Sequence, residues 1–307
     1  MKHDFLSVLD LDKETLEALL DRARVLKKRH AQGIVDRPLM GKTLGLIFDK
    51  ASTRTRISFE AAMAQLGGTP IFISARDTQI SRDEPVQDTA RVLARFLDCL
   101  AIRTYSQKLV EEFAFHASIP VINALTDRYH PCQIMSDLLT VLECKGDCRN
   151  VNIAWVGDGN NVAHSWINAA RILGFSLTLA CPDGYHPDPA VLGPAVERRG
   201  DRIRVMADPK AAVRGADVIY TDVWASMGQE KEQAEREAAF KGYLVDDDLV
   251  ACADPKVVVM HCLPAHREEE ISEAVLEGSH SVVWDQAENK LHMHKALLEW
   301  AMLNPPA

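Results

Sequence analysis

The most constraining feature of this sequence is a repeated alternation of short apolar runs with amphipathic helical patterns. A stripe of leucines predicts a helix over Glu14–His30, and the run Thr43–Phe48 predicts a buried strand. A second helix is predicted from about Ser52 to Leu66, where Gly67-Gly68 ends it. Such alternation is typical of a mainly parallel sheet covered by helices.

The same alternation continues through the rest of the chain. Strands are predicted at Ile71–Ser74, Leu97–Ile102 and Pro120–Asn123, and helices around Val86–Arg95 and Gln133–Glu143. A second series of predicted strands comprises Val151–Val156, Leu177–Cys181, Ile203–Met206, Asp217–Thr221, Val257–His261 and Ser281–Trp284.

The length of the chain indicates two domains, because 307 residues are many for a single hydrophobic core. A polar break at Lys145–Asp147 predicts a boundary between residues 1–144 and 145–287. A final helix is predicted at about Asn289–Leu303, and we expect residues 288–307 to pack back on the first domain. The predicted fold class is α/β, with two domains, each a mainly parallel, doubly wound sheet flanked by helices.

The net charge and the cysteines indicate which partners this chain can bind and in which cellular compartment it works. The net charge of −9 disfavours non-specific binding to nucleic acid or to an anionic membrane. Seven cysteines, an odd count without a CxxC motif, favour thiols in a reducing compartment. The first residues carry no apolar signal segment, and no apolar run approaches the ~20 residues that span a bilayer. We therefore expect a cytoplasmic protein that binds neither nucleic acid nor membranes.

Polar residues follow the predicted strands, at the edge where open parallel sheets bind their ligands. These segments are Ser52–Arg56, Arg103, His130–Gln133, Gly157–Asn161, Asp222–Gly228 and His261–Pro264.

The segment Ser52–Arg56 has the composition of an anion site. Ser52 is a good N-cap, and the amides that follow it point outward at the positive end of the helix dipole. Two arginines within five residues add charge-assisted donors, which suit a phosphate. The alternative is an ordinary N-cap followed by solvated arginines.

Arg103 and His130 follow neighbouring strands and could both reach the carbonyl oxygen of a ligand. There they would stabilise the negative charge of a tetrahedral intermediate. Alternatively, Arg103 forms a surface ion pair and His130 caps a helix.

The turn at Gly157–Asn161 resembles part of a dinucleotide-binding motif, but Val162 stands where the third glycine would be. The glycines could instead serve a tight strand-to-helix connection, and the two asparagines could bind an amino or carboxylate group. Asp222 offers a carboxylate to a cationic ligand, although its loop could simply cap a helix.

Two further patterns leave alternatives open. The thiol of Cys262, beside His261, could be a nucleophile, a metal ligand or an ordinary buried cysteine. His292 and His294 lie two positions apart on the final helix, so we interpret them as helix surface and expect no metal there.

Together these segments resemble the ornithine carbamoyltransferase family. The motifs that carry the resemblance are STRTR at Ser52–Arg56, HPCQ at His130–Gln133, DVWASMG at Asp222–Gly228 and HCLP at His261–Pro264. Their order and spacing extend over essentially the whole chain. STRTR and HPxQ mark carbamoyltransferases generally, whereas the SMG loop with HCLP is specific to ornithine as the acceptor.

The resemblance implies that the first domain binds carbamoyl phosphate. The phosphate would be held by Ser52, Thr53, Arg54 and Thr55, with Gln79 contributed by a neighbouring subunit. The carbamoyl carbonyl would be polarised by Arg103, His130 and Thr55. The carbamoyl amide would be held by Gln133 and by the carbonyl groups of Cys262 and Leu263.

The second domain would bind L-ornithine, and the products would be L-citrulline and phosphate. The α-amino and carboxylate ends of ornithine would be held by Asn161, Asp222, Ser226 and Met227. Asp222 and Cys262 would guide the δ-amine, and the implied catalytic residues are Arg103, His130, Asp222 and Cys262. The resemblance implies a role in arginine biosynthesis, no cofactor or metal, and a homotrimer or a multiple of trimers.

One position departs from the family pattern. Family members commonly have an arginine at the position of Lys290, where it contacts the carbamoyl phosphate site. Lysine keeps the charge but lacks the bidentate fork. We assign Lys290 to this site, and weaker phosphate binding and a compensating residue elsewhere are both open alternatives.

Three alternative functions remain at the level of sequence. The acceptor could be putrescine, an N-acylornithine or aspartate, although aspartate would need cations for its second carboxylate. An NAD-dependent oxidoreductase would use the Gly157 turn but would leave Ser52–Arg56 unexplained. A non-catalytic sensor of carbamoyl phosphate would not need Arg103, His130 and Cys262.

Overall fold

The computed structural model describes residues 2–74, 84–225 and 233–303. The chain divides into two compact units. Unit 1 comprises the residues up to Leu139 together with those from Glu288 onward, and unit 2 comprises Thr140–Ala287. The predicted positions Gln79, Ser226 and Met227 lie outside the described residues.

Unit 1 is built on a sheet of four parallel strands. The strands are β1 (Thr43–Phe48), β2 (Thr69–Ser74), β3 (Cys99–Arg103) and β4 (Val121–Leu125), in the spatial order β2-β1-β3-β4. The helices that lie wholly within this unit are α1 (Lys13–Ala31), α2 (Thr53–Gln65), α3 (Val86–Leu93) and α4 (Gln107–His116).

Unit 2 is built on a sheet of five parallel strands. The strands are β5 (Asn152–Val156), β6 (Ser176–Ala180), β7 (Ile203–Met206), β8 (Val218–Thr221) and β9 (Val258–His261), in the spatial order β7-β6-β5-β8-β9. Its helices are α6 (Asn161–Leu173), α7 (Pro189–Arg199), α8 (Pro209–Val213), α9 (Gln233–Ala239), α10 (Asp247–Val250) and α11 (Glu273–Leu276). The boundaries of the units fall within α5 (Pro131–Lys145) and α12 (Val283–Leu303).

The strand orders confirm the predicted fold class of two parallel sheets flanked by helices. Each sheet also has a topological switch point, the place where consecutive crossovers go to opposite sides and where open α/β sheets bind ligands. In unit 1 it lies between β1 and β3, whose ends are in register at Phe48 and Arg103. In unit 2 it lies between β5 and β8, whose ends are in register at Val156 and Thr221.

Strands β3 and β4 are buried because their side chains pack under helices on the sheet faces. All five residues of β3 and all five of β4 are buried, which explains why both read as continuous apolar runs. In unit 2, Ile219 and Val259 of adjacent strands share one core with Phe240 of the α9 end. Burying a large apolar side chain contributes about 1.5–3 kcal/mol, so these clusters fix the sheets that position the site.

The region around residue 281 differs from the prediction. The prediction of a strand at Ser281–Trp284 is wrong, because Ser281 forms a single bridge with Val259 and helix α12 begins at Val283. A run of four apolar residues does not by itself distinguish a strand from the start of a helix. The buried positions Val283, Gln286 and Lys290 have helical spacing, which the short run concealed.

The interpretation of His292 and His294 as helix surface is also wrong, since both side chains are fully buried. The ring of His294 stacks on Phe59 of α2, with centroids 3.7 Å apart, and His292 lies beside His30 of α1. This part of α12 is buried on nearly all sides, so an argument from opposite helix faces does not apply.

Candidate active site

Unit 1 contains a cavity of about 500 Å³ at the end of β1 and the start of α2. Its lining consists of Phe48, Asp49, Lys50, Ala51, Ser52, Thr53, Arg56, Ile57, Phe72 and Ser74. Ser52 is the N-cap of α2, and its Oγ accepts a hydrogen bond from the amide of Thr55 at 3.2 Å. The amides of the first helical turn and the helix dipole therefore favour an anion in this cavity.

Two cations line this cavity and are held by aromatic rings and carboxylates. The guanidinium of Arg56 lies 3.5 Å from the centroid of Phe72, and its Nε donates to Glu60 at 2.9 Å. Lys50, only 6% exposed, pairs with Asp127 and lies over a tyrosine ring. Lys50 was not predicted, although its place between a buried strand and an N-cap serine is a signal that could have identified it.

The remaining predicted phosphate ligands lie at the same helix terminus. Thr53 lines the cavity, whereas Arg54 and Thr55 are not among its lining residues. Thr55 is buried and Arg54 is half-buried. Of the four predicted phosphate ligands, Ser52 and Thr53 therefore line the observed cavity, and Lys50 lines it in addition.

Arg103 and His130 are both buried near the switch point of unit 1. Arg103 ends β3, and its carbonyl accepts a hydrogen bond from the amide of Asp49 at 2.9 Å. His130 directly precedes α5. Burial lowers the pKa of His130 well below its usual range, and the charges of Lys290 and Arg103 lower that pKa further. The imidazole is consequently neutral near pH 7 and can offer one N–H to a ligand oxygen.

Gln133 and Lys290 meet inside unit 1, although 157 positions separate them in the sequence. Both side chains are nearly fully buried. The lysine is thus placed beside the HPCQ segment, where it also affects the imidazole of His130 electrostatically.

Unit 2 carries an acidic site at its own switch point. The carboxylate of Asp222, 7% exposed, accepts hydrogen bonds from Asn160 Nδ2 at 2.9 Å and from Cys262 Sγ at 2.9 Å. Asn160 also caps α6, because its Oδ1 accepts from the amides of Val162 and Ala163. Asn161 is the first residue of α6 and is half-buried beside this group.

Asn160 is a site residue that the sequence indicated only as one of two asparagines at a helix start. Its role as a helix cap was readable from its position, but its second bond, to a carboxylate 62 positions away, was not. The amide of Val223 is a third donor to Asp222, at 2.9 Å. A carboxylate oriented by three neutral donors is suited to a cationic group such as an amine.

The glycine turn in unit 2 has a packing requirement of its own. Gly157 has φ 143°, and a Cβ on Gly159 would lie 2.5 Å from the carbonyl carbon of His186 and closer still to Pro187. The two glycines therefore allow a left-handed backbone and a close approach of two chain segments. This explains them without a dinucleotide.

The turn at residues 261–264 leaves β9 and places Cys262 next to Asp222. Leu263 has φ 58°, and the peptide bond between Leu263 and Pro264 is cis. The potential ligand atoms of Asp222, His261 and Cys262 lie within 4.8 Å of one another. The imidazole, however, uses both ring nitrogens in hydrogen bonds to Leu263 and Glu270, so it is poorly suited to bind a metal.

Within the described part of the chain, none of the helices is both long and apolar enough to cross a membrane.

A cavity that favours an anion in one parallel α/β unit and an oriented carboxylate in the other are features of a two-domain enzyme with an anionic and a cationic substrate. Residues 3–143 match the family model described as aspartate/ornithine carbamoyltransferase, carbamoyl-P binding domain. Residues 149–301 match the Asp/Orn binding domain of the same family. The chain belongs to the aspartate/ornithine carbamoyltransferase family, which confirms the predicted resemblance.

Individual relatives agree with this assignment. The ornithine carbamoyltransferase of Geobacter sulfurreducens is 57% identical over 298 residues, covering 97% of this chain and 98% of the relative. The structure of ornithine carbamoyltransferase from Pyrococcus furiosus superposes with a TM-score of 0.95 at 46% identity, covering 99% of this chain and 98% of that one. The anabolic enzyme from Campylobacter jejuni gives a TM-score of 0.92 at 39% identity, covering 98% and 99% of the two chains.

Proposed function

We propose that this chain transfers the carbamoyl group of carbamoyl phosphate to the δ-amine of L-ornithine, giving L-citrulline and phosphate. Relatives at 50–57% identity over nearly the whole chain are named ornithine carbamoyltransferase, which supports the activity predicted from the sequence. The structural observation that carries the acceptor assignment is the buried carboxylate of Asp222, oriented by Asn160 and Cys262.

The donor is proposed to bind unit 1. Its phosphate would occupy the cavity at the start of α2, with Ser52, Thr53, Arg54 and Thr55 as predicted and with Lys50 and Arg56 added by the lining. Amides at the helix terminus and fixed cations together suit a dianionic group. The carbamoyl group would then lie toward the buried polar residues at the end of β3 and the start of α5.

Arg103 and His130 are proposed to stabilise the oxyanion. The nitrogen lone pair of ornithine attacks the carbonyl carbon, and the C=O π electrons move to the oxygen. The Arg103 guanidinium and the neutral imidazole of His130 donate hydrogen bonds to that oxygen. The intermediate re-forms the C=O bond as the C–O bond to phosphate breaks, and the departing phosphate accepts the proton that the attacking nitrogen loses.

Asp222 and Cys262 are proposed to orient the acceptor amine. An alkyl amine with a pKa near the ~10.4 of lysine is mostly protonated at neutral pH, so a site must bind the cation and release a proton from it. Asp222 supplies a buried negative charge, and Cys262 fixes one of its oxygens at 2.9 Å. Asn161 is proposed to contact the α-amino or carboxylate end of ornithine.

An acceptor panel tests the assignment. Phosphate release is measured with ornithine, putrescine, acetylornithine and aspartate, and citrulline is measured by a colorimetric assay. We expect ornithine to give the highest kcat/KM, because Asp222 suits a cationic tail and an acidic acceptor would be repelled. Arg103→Ala, which keeps the acceptor site, serves as the control for background hydrolysis. Ornithine as the poorest of the four acceptors would refute the acceptor assignment.

We also propose that the protein is a homotrimer and that it works in the cytoplasm, in arginine biosynthesis. Seven cysteines spread along the chain, several of them buried thiols, support a reducing compartment. Unit 1 exposes the large apolar side chains of Ile57, Ile71 and Phe96, which supports an interface between copies. Light scattering coupled to size-exclusion chromatography tests the trimer, and a monomeric mass would refute it.

A further inference from the structure

His261, the last residue of β9, is 1% exposed and has a defined tautomer. Its Nδ1 lies 2.8 Å from the amide nitrogen of Leu263, and its Nε2 lies 2.9 Å from Glu270 Oε1. An amide N–H can only donate, so Nδ1 must carry the lone pair and Nε2 must carry the proton. The imidazole therefore accepts from Leu263 and donates to Glu270.

Glu270 is fully buried and holds this tautomer in place. Its Oε1 accepts from His261 Nε2 and also from the amide of His266 at 2.7 Å. The backbone of His261 is fixed independently, since its amide donates to Gln286 Oε1 at 2.9 Å. The ring thus lies between a fixed strand end on one side and a buried carboxylate on the other.

The bond from Leu263 to His261 Nδ1 determines the course of the turn. It folds the chain back over two residues, and it restrains Leu263 at φ 58°, a conformation that non-glycine residues seldom adopt. Cys262 lies between these two restrained residues, and its Sγ donates to Asp222 Oδ1 at 2.9 Å. The position of the thiol therefore depends on the ring of His261.

We propose that Glu270 and His261 are positioning residues for the acceptor: Glu270 fixes the tautomer of His261, His261 holds Leu263, and the restrained turn places the Cys262 thiol against Asp222. The inference rests on the proposed function only in taking Asp222 as the acceptor site. Neither residue needs to contact a substrate, because both act through the turn.

Paired substitutions at His261 separate this role from simple packing. In His261→Asn, the side-chain oxygen occupies the place of Nδ1 and can still accept from Leu263. In His261→Gln, the amide reaches the place of Nε2 and can still bond Glu270, but the acceptor for Leu263 is lost. We expect the KM for ornithine to rise about tenfold more in the Gln variant than in the Asn variant.

Substitutions at Glu270 test the other end. Glu270→Gln keeps an oxygen that accepts from both His261 and His266, so we expect a KM for ornithine within about threefold of the wild-type value. Glu270→Leu removes the acceptor, and we expect the KM for ornithine to rise at least about tenfold. His280→Asn is the matched control, since the side chain of this partly buried histidine of unit 2 bonds the Val257 carbonyl, away from the turn.

The environment of Cys262 gives a readout that does not depend on turnover. Iodoacetamide labelling is followed by mass spectrometry of the Cys262 peptide, with the half-buried Cys252 as internal reference. We expect labelling of Cys262 to change at least about threefold in Glu270→Leu and His261→Gln but not in Glu270→Gln. If the Leu variant does not fold, the comparison of His261→Asn with His261→Gln remains.

The outcomes distinguish the two proposals. Equal KM values for ornithine and equal Cys262 labelling in His261→Asn and His261→Gln, with only thermal stability changed, would overturn the positioning role. A wild-type protein that does not use ornithine would refute the proposed function, whereas the labelling pattern would still report on the turn.

Discussion

Lys290 Nζ donates a hydrogen bond to Gln133 Oε1 at 2.6 Å, and both side chains are buried in unit 1. The other end of the same amide is also fixed, because Gln133 Nε2 donates to Asp137 Oδ1 at 2.8 Å. Lys290 therefore fixes the orientation of the Gln133 amide, with its oxygen toward α12 and its nitrogen toward Asp137. A lysine at this position does more than preserve the charge of an arginine, since it orients a side chain proposed to bind the carbamoyl amide.

Replacing Lys290 by methionine tests this orientation. The substitution keeps the length of the side chain but removes a charged donor, a hydrogen bond that contributes about 1.5–3 kcal/mol. We expect the KM for carbamoyl phosphate to rise about tenfold or more, with the KM for ornithine little changed. Lys290→Arg retains a donor and should remain within about threefold of the wild-type value. Initial rates at varied donor and fixed acceptor concentrations measure both effects.

The matched control for this prediction is Lys295→Met. Lys295 is also a buried lysine of α12, but its charged neighbours are Asp36 and Glu299 and not the Gln133 cluster. A similar rise in the KM for carbamoyl phosphate in both variants would indicate a general effect of damaging α12.

The contact between Cys262 and Asp222 predicts a coupling that a double-mutant cycle can measure. Asp222→Asn removes the negative charge, and we expect kcat/KM for ornithine to fall about 100-fold or more. Cys262→Ser retains a donor that fits less well, so we expect kcat/KM for ornithine to fall less than in Asp222→Asn. Because the two side chains are in direct contact, their coupling energy should be about 0.5–3 kcal/mol, and strictly additive effects would contradict the contact. Cys252→Ser, whose thiol bonds the Asp248 carbonyl, is the control.

The fold could be predicted because hydrophobic periodicity reports burial directly. The strand Thr43–Phe48 was predicted with its observed bounds, since five of its six residues are buried. Helix α4 (Gln107–His116) was not among the predicted elements; Phe115, 83% exposed, obscures its apolar stripe. Ser281–Trp284 was misassigned because four residues are too few to establish a period.

Individual contacts of the site were predictable from local patterns only where the residues are close in sequence. Ser52 was recognised as a helix cap because an N-cap and its helix are contiguous. The bond of Lys290 to Gln133 and that of Asn160 to Asp222 join segments 157 and 62 positions apart. No local pattern encodes which strand ends meet, since strand order in a sheet is a property of tertiary packing.

The glycine turn of unit 2 gives a prediction about stability. Gly159→Ala would place a methyl group against the backbone of His186 and Pro187, which cannot move without displacing the segment before α7. We expect the free energy of unfolding to fall by about 1–3 kcal/mol, as for overpacked sites. Gly193→Ala is the control: Gly193 is exposed within α7 with open space around it, so alanine should raise stability by about 0.5–1 kcal/mol. Urea denaturation measures both, and equal effects would contradict the close approach.

Buried histidines of unit 1 predict that acid destabilises the fold. Burial lowers the pKa of His294 well below its usual range and lowers that of His292 to about 4, and both groups are neutral in the folded chain at pH 7. In the unfolded chain their pKa returns to about 6.5, so the unfolded state binds more protons below that pH. The stability that depends on the neutral histidines should therefore be fully present above about pH 6.5. Below that pH, the free energy of unfolding should fall by about 1.4 kcal/mol per pH unit per histidine.

Two carboxylates act with the opposite sign. Burial raises the pKa of Asp4 and of Asp10, so the folded state takes up their protons first and gains stability as the pH falls through the raised values. We therefore expect the histidine effect to dominate between about pH 6.5 and 5.

His294→Gln should reduce the slope of the free energy of unfolding against pH in this range by about 1.4 kcal/mol per pH unit. Phe59→Leu, which removes the ring stacked on His294, should lower stability at every pH without changing the slope. Denaturant unfolding at about pH 7.5, 6.5, 5.8 and 5.2 measures the slope. A free energy of unfolding that stays constant across these pH values would contradict the neutral, buried histidines.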